Sequence, residues 1–215
     1  MQYRQLQLRP HFYLNCLKSL YGLAEKGQTG DIQKMILSLS EQFQFLTYNM
    51  TSTIPLREEL VHTQNYITIQ KLGKGFPIHI FLSIDRTLEE VQIPTLCIQT
   101  FVENSIKYGP VPGRELEIHI NVSKEGEGED TFVHITIEDN GNGYPIQLLT
   151  SSGSLSDSEC ITSQAAGLYN LQTRLAYIYS GKAFLFLSNC PGATSELLLP
   201  LSIVRRESDE NSNRR

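Results

Sequence analysis

No apolar run in the sequence approaches the ~18–20 residues needed to cross a bilayer. Residues 1–20 carry Arg4, Arg9, His11 and Lys18, and they lack the apolar core and cleavage pattern of a signal peptide. These residues therefore supply no secretion or insertion signal of their own. Cysteine is scarce and scattered: Cys16, Cys97, Cys160 and Cys190 form no C-x-x-C pair, so neither a zinc site nor a disulfide framework is indicated. A reducing cytoplasm is the simplest setting. Positive charge is in short supply too, with 18 Lys and Arg against 23 Asp and Glu. The resulting net charge of −5 argues against general attraction to nucleic acid, and no local basic patch offsets it.

What is present is enough for one medium domain and a helical appendage in 215 residues. Up to about Lys74 the chain lacks β-alternation and spaces its apolar residues as helices do: Leu14, Leu17, Leu20 and Tyr21, then Ile32, Met35, Ile36, Leu39, Phe43 and Leu46. This predicts two helices joined near Gly27–Gly30, with Asp31 as N-cap. A third helix is expected with Pro55 in its first turn, Glu58 and Glu59 early, an apolar line of Leu60, Ile67 and Leu72, and Gly73 and Gly75 as the stop.

From Phe76 the texture alternates. Strands are expected at Ile78–Ile84, Glu115–Ser123, Thr131–Glu138, Phe184–Ser188 and Ser195–Val204, and helices at Pro94–Tyr108 and Gly167–Tyr179. The Ser-, Gly- and Thr-rich stretch Pro145–Ala165 reads as a long loop, and the charged tail from Arg205 as disordered. The expected divisions are a helical region over 1–74, a sheet domain covered by helices over 75–204, and a tail over 205–215.

Four elements draw attention as chemistry. On the helix Pro94–Tyr108, Ile98, Phe101, Val102 and Ser105 fall on one side, and Thr100, Glu103, Asn104 and Lys107 on the other. Asn is a mediocre mid-helix residue, explained either by a polar partner such as a hydrated metal ion or by plain solvent exposure. After an apolar strand comes Glu138-Asp139-Asn140-Gly141-Asn142-Gly143. Its glycines permit close backbone approach by a ligand and its carboxylate suits an amino group, although Asp-Asn-Gly also makes ordinary tight turns. Gly167-Leu168 opens a predicted helix whose free N–H groups suit phosphate, or is simply a glycine entering a helix. Pro191-Gly192-Ala193-Thr194 leads into the last strand, where a plain hairpin connection is the alternative.

Taken in order, these elements resemble the ATP-binding motifs of the family shared by DNA gyrase, Hsp-type chaperones, histidine kinases and MutL. The run Ile93–Gly109 is similar to that family's N box, in the form found in LytS/YesM-type sensor kinases. The resemblance implies an α+β fold: an N-terminal helical dimerisation and phosphoacceptor segment, then an α/β sandwich ATPase domain of Bergerat type, its mixed sheet carrying helices on one face. It implies ATP and Mg²⁺ as cofactors. Asn104 would bind Mg²⁺, Lys107 approach phosphate, and Glu103 position or activate the attacking group. Asp139 would hold the adenine amino group, with Gly141 and Gly143 shaping the pocket, Gly167 on the phosphate side and Thr194 on the adenine side.

Arg9-Pro10-His11-Phe12-Tyr13-Leu14-Asn15-Cys16-Leu17 resembles the same subfamily's phosphoacceptor motif, with Asn15 four residues from His11 on the same helix face. A neutral imidazole is a competent nucleophile near neutral pH. His62, His79, His119 and His134 read as structural residues without partners. The match runs from about Leu8 to Leu201. It implies a two-component sensor kinase core that autophosphorylates His11 and passes the phosphoryl group to a response-regulator aspartate. It also implies a homodimer through the N-terminal helices, no nucleic-acid partner, and membrane attachment only through upstream segments, hence a cytoplasmic fragment. Two departures stand out. Ala165-Ala166-Gly167-Leu168 replaces G-x-G-L, and Gly192-Ala193-Thr194 replaces Gly-Gly-Thr. Added methyl groups there would restrict approach to phosphate, so the alternatives are a degenerate kinase serving as a nucleotide-binding dimerisation or docking module, or an ATPase in which His11 is incidental.

Overall fold

The computed structural model describes residues 10–48, 53–73, 76–128, 130–149 and 163–201. The chain forms two compact units: Met1–Met50 with Val61–Pro77, and Thr51–Leu60 with Ile78–Arg215.

The first unit contains α1 (Pro10–Glu25), α2 (Thr29–Tyr48) and most of α3 (Leu56–Gly73). Its core is Cys16, Leu23, Met35 and Ile69, flanked by Phe12, Leu20, Ile32, Leu39 and Leu72. The apolar line expected on α1 is therefore split. Leu20 packs inward, while Leu14, Leu17 and Tyr21 remain exposed. Asp31 is not the N-cap, because α2 starts two residues earlier. Its carboxylate accepts from the Gln28 amide at 3.3 Å within the first turn. Phe12 stacks on Tyr66 and Tyr13 on Phe43, and Phe45 packs at a tilt against His62.

The second unit is built on a five-stranded sheet. Its strands are β2 (Ile78–Ile84), β4 (Leu116–Glu125), β5 (Phe132–Asp139), β6 (Phe184–Asn189) and β7 (Ala193–Pro200), in the order β2-β4-β5-β7-β6. Only β2 and β4 run parallel. Strand alternation sends Ile118, Ile120, Val122, Val133, Ile135, Ile137, Leu197 and Leu199 to one buried face. The apolar sides of α4 (Cys97–Tyr108) and α6 (Ser163–Ile178) supply the other half of this core: Ile98, Phe101, Val102 and Ile106, with Leu168, Leu171 and Leu175. The fold is the α+β sandwich expected.

Several boundaries differ from the sequence reading. Pro55 closes a three-residue strand, β1 (Thr53–Pro55), instead of entering the helix, and Pro94 closes β3 (Gln92–Pro94). The two pair antiparallel, which ties Thr51–Leu60 to the sheet unit. A short α5 (Ile146–Leu149) interrupts the expected loop, whose residues 150–162 lie outside the described residues, as do the tail from Arg205 and the expected strand end beyond Leu201. Because α6 begins at Ser163, Gly167 sits in its second turn and not at its start.

The remaining histidines also have partners, contrary to expectation. His79 lies 3.0 Å from Glu115, and His134 is flanked by Glu125 at 3.1 Å and Glu196 at 3.4 Å. His119 stacks on Phe81. Each pair is a cross-strand or strand-end neighbourhood created by sheet register, invisible to spacing along one strand.

Candidate nucleotide site

The central element is the segment after β5. Asp139 is buried at the strand end, and its Oδ1 accepts from the backbone N–H groups of Gly141 at 2.9 Å and Ala193 at 3.1 Å. One carboxylate oxygen thereby closes the turn and fastens it to the β6–β7 hairpin. Asn140 turns away, accepting from Glu117 N–H and donating to the Glu115 carbonyl. Asn142 donates to the carbonyls of Tyr108 and Pro110, which anchors the segment to the end of α4.

Glycine is required here by backbone-to-backbone packing. A Cβ on Gly141 would lie 2.3 Å from the Gly109 carbonyl oxygen, and one on Gly192 would lie 2.2 Å from that of Asp139. Gly143 has φ +76°, and the Asn189 side chain fills the space a Cβ would take. Ala193 has no positive φ, so its methyl is accommodated on an ordinary strand backbone.

Beyond the turn, Tyr144 is buried and its hydroxyl pairs with Ser195 Oγ at 2.6 Å. Burial pushes the phenol up to about 12, with the Asp139 charge adding to the rise and the Ser195 bond opposing it. Asn104, Ser105, Tyr108, Gly109, Asp139, Gly143, Tyr144 and Ala193 line a shallow cleft.

The cleft brings together Asn104, Asp139 and Gly143, with Gly141 beneath it against Gly109. Thr194, next to the lining Ala193, is buried. Its Oγ1 and the Asn104 Nδ2 are buried without a hydrogen-bond partner. Two orphaned polar atoms beside a glycine cradle are what a polar ligand would satisfy. Glu103 accepts from the Gln99 amide at 3.1 Å, and the Lys107 ammonium lies over the Tyr108 ring at 4.7 Å. Neither lines the cleft. Gly167 faces α4, where a Cβ would make an ordinary van der Waals contact with Thr100 at 3.8 Å. His11 falls within α1, but its side chain and that of Ala165 lie outside the described residues.

One residue of the site was missed by sequence reasoning. Glu59 of α3 is fully buried, and its carboxylate accepts from the N–H groups of Leu96 at 2.7 Å, Ile98 at 3.0 Å and Gln99 at 3.1 Å. It caps α4 from outside that helix, at a point where Leu96 has φ 61° and offers no side-chain cap. Burial raises its pKa to about 7, although the three N–H donors and the charge of Arg174 pull the other way. Arg174 of α6 donates to the Thr95 carbonyl at 2.6 Å beside it. The only sequence signal was an acidic residue in the first turn of α3, which reads as a complement to that helix's own dipole.

Residues 1–75 match the family model for histidine kinase, and residues 89–203 match that for histidine kinase-, DNA gyrase B-, and HSP90-like ATPase. The chain is 31% identical over 176 residues to the sensor histidine kinase YesM of Bacillus subtilis, covering 81% of this chain and 28% of the relative. To the sensor protein LytS of Enterococcus faecalis it is 24% identical over 214 residues, covering 98% and 35%. The chain thus spans about a third of the length of these relatives. In fold it is similar to the histidine kinase domain of the Erythrobacter litoralis EL346 blue-light activated histidine kinase, with a TM-score of 0.51, 15% identity and 85% of each chain covered.

Proposed function

Since this chain belongs to the histidine kinase-, DNA gyrase B- and HSP90-like ATPase family and carries a sensor histidine kinase catalytic core, we propose that it phosphorylates His11 from ATP and passes the phosphoryl group to an aspartate of a response regulator. The observation that carries this reading is the Asp139 turn. Oδ1 is committed to Gly141 and Ala193, which leaves Oδ2 to accept from an amino group such as that of adenine. The orphaned Thr194 hydroxyl belongs to the residue after Ala193, which lines the cleft with Asp139.

Asn104 would hold Mg²⁺, whose habit of taking few protein ligands alongside phosphate oxygens and water fits a lone amide. When bound, the ion neutralises charge on the phosphates. Lys107 would swing from Tyr108 toward phosphate, Gly167 would let the α6 backbone approach it, and Glu103 would accept the proton that the attacking imidazole sheds. A ring nitrogen of His11 forms the N–P bond as the bond to the β-phosphate oxygen breaks, and ADP leaves with that electron pair.

The proposed functional division is 1–74 as dimerisation and phosphoacceptor region, 75–204 as ATP-binding region and 205–215 as tail, with Thr51–Leu60 of the first region belonging structurally to the sheet unit. Exposed Leu14, Leu17 and Tyr21 on α1 and Ile36 and Phe43 on α2 support a homodimer through these helices. Among the described residues no helix is long and apolar enough to cross a membrane. The catalytic core acts on the cytoplasmic side, joined to any membrane through other segments.

Incubation with γ-labelled ATP and Mg²⁺ tests the reading. Wild type should acquire acid-labile label and His11→Gln none. Nucleotide binding without any label would favour the docking-module alternative, and phosphate release by His11→Gln would favour a plain ATPase.

A further inference from the structure

The helix that carries Glu103, Asn104 and Lys107 begins without any cap of its own. Leu96 occupies a left-handed backbone position at its start, and its side chain can accept no hydrogen bond. The free N–H groups of that first turn are met instead by Glu59, 37 to 40 residues earlier in the chain. A second hold comes from Arg174, whose guanidinium grips the Thr95 carbonyl from α6, the helix that also carries Gly167.

Glu59 is completely buried, and a carboxylate removed from water is costly unless several donors satisfy it. An apolar residue of the same volume would leave three N–H groups of α4 without this partner, so the carboxylate's task here is to meet and place those donors. Its two oxygens are divided: Oε2 takes Leu96, and Oε1 takes Ile98 and Gln99. That division fixes both the axial position and the rotation of α4, because the three N–H groups belong to residues at different positions around the helix axis.

We propose that Glu59 is a positioning residue for phosphate and metal binding, setting the rotation of α4 at which the Asn104 amide faces the cleft. This rests on the reading of that cleft as an Mg²⁺-nucleotide site. It makes a selective claim. The base side of the cleft, formed by Asp139, Gly141 and Ala193, is held by its own hydrogen bonds, has no bond to Glu59, and meets α4 at the C-terminal end through Asn142 and Gly109, at the opposite end from the turn that Glu59 holds. Loosening Glu59 should therefore weaken what α4 contributes and spare what the β5 turn contributes.

The test compares wild type, Glu59→Gln and Glu59→Ala in the full chain, titrated with adenosine and with ADP, the latter in Mg²⁺ and in EDTA. Wild type should show an Mg²⁺-dependent gain in ADP affinity. In Glu59→Ala that gain should fall roughly tenfold, the scale of losing charge-assisted hydrogen bonds, while adenosine affinity holds within about twofold. Glu59→Gln should lie between, since its carbonyl can still accept from Ile98 and Gln99 but its amide opposes Leu96 N–H. It also carries the test if the alanine variant does not fold. An unchanged Mg²⁺-dependent gain in both variants would overturn the proposal, as would a proportional loss of adenosine and ADP binding. Failure of wild type to bind either ligand would instead remove the nucleotide-site reading, and the proposal with it.

Discussion

The Asn189 side chain brackets the peptide groups of Tyr144, accepting from its N–H at 2.7 Å and donating to its carbonyl at 3.0 Å. With this clasp the end of β6 holds the far side of the glycine turn, as Asp139 holds the near side. Asn189→Ala should cost about 1 kcal/mol of stability, at the lower end because the residue is largely exposed. Nucleotide affinity should fall several-fold. Denaturant midpoints and a nucleotide titration would measure both, and unchanged affinity would show that the turn holds its shape without the clasp.

Gly192 and Ala193 are neighbours with opposite tolerance. A methyl on Gly192 would meet the Asp139 carbonyl and the Gly141 nitrogen, both backbone atoms unable to yield. Gly192→Ala should therefore abolish nucleotide binding and lower the melting temperature. Ala193→Gly restores the pattern of relatives but adds only backbone freedom, so affinity should change little while stability drops by roughly 0.5–1 kcal/mol. A large gain in affinity from Ala193→Gly would show that the methyl does obstruct the site.

The Tyr144–Ser195 pair gives a test of buried polarity. Tyr144→Phe leaves the Ser195 hydroxyl buried without its 2.6 Å partner and should cost about 1–3 kcal/mol. Replacing both, as Tyr144→Phe with Ser195→Ala, should recover part of that loss, because neither polar atom is then stranded. Equal destabilisation in the single and double variants would rule this account out.

His62 makes the helical unit acid-sensitive. Burial lowers its pKa from 6.5 to about 4, and its Nδ1 is buried without a hydrogen-bond partner. The unfolded chain takes up a proton below pH 6.5 that the folded chain refuses, so the contribution of neutral His62 is full above pH 6.5 and is lost as pH falls toward about 4. Glu59, raised to about 7, has the opposite slope over much of the same range. The effect must thus be read as a difference: from pH 7 to pH 4.5, wild type should lose more stability than His62→Phe. Parallel curves would sink it.

Most of the fold was legible because its signals are local. The strand Ile78–Ile84 and the two-faced helix of Asn104 follow from alternation and from 3.6-residue spacing; the strand has the expected bounds, and the helix starts three residues later than expected, at Cys97. The β1–β3 ladder was not, since three residues are too few to alternate and both strands end in proline. Gly167 was misplaced at a helix start because the residues before it, Ser163 to Ala166, give no apolar period although the backbone there is helical. Glu59 was hidden for a different reason. Its partners are backbone N–H groups far along the chain, and backbone donors leave no trace in residue identity.

Gly109 and Gly141 meet back to back at the floor of the cleft, and a Cβ on Gly109 would itself strike the Ser105 carbonyl. Contact of this kind uses no side-chain chemistry, so no compensating change of side chain elsewhere can make room for a substitution at either position. In a deep mutational scan the two should reject every substitution, and as lineages diverge side-chain positions away from this turn can drift while this pair stays locked.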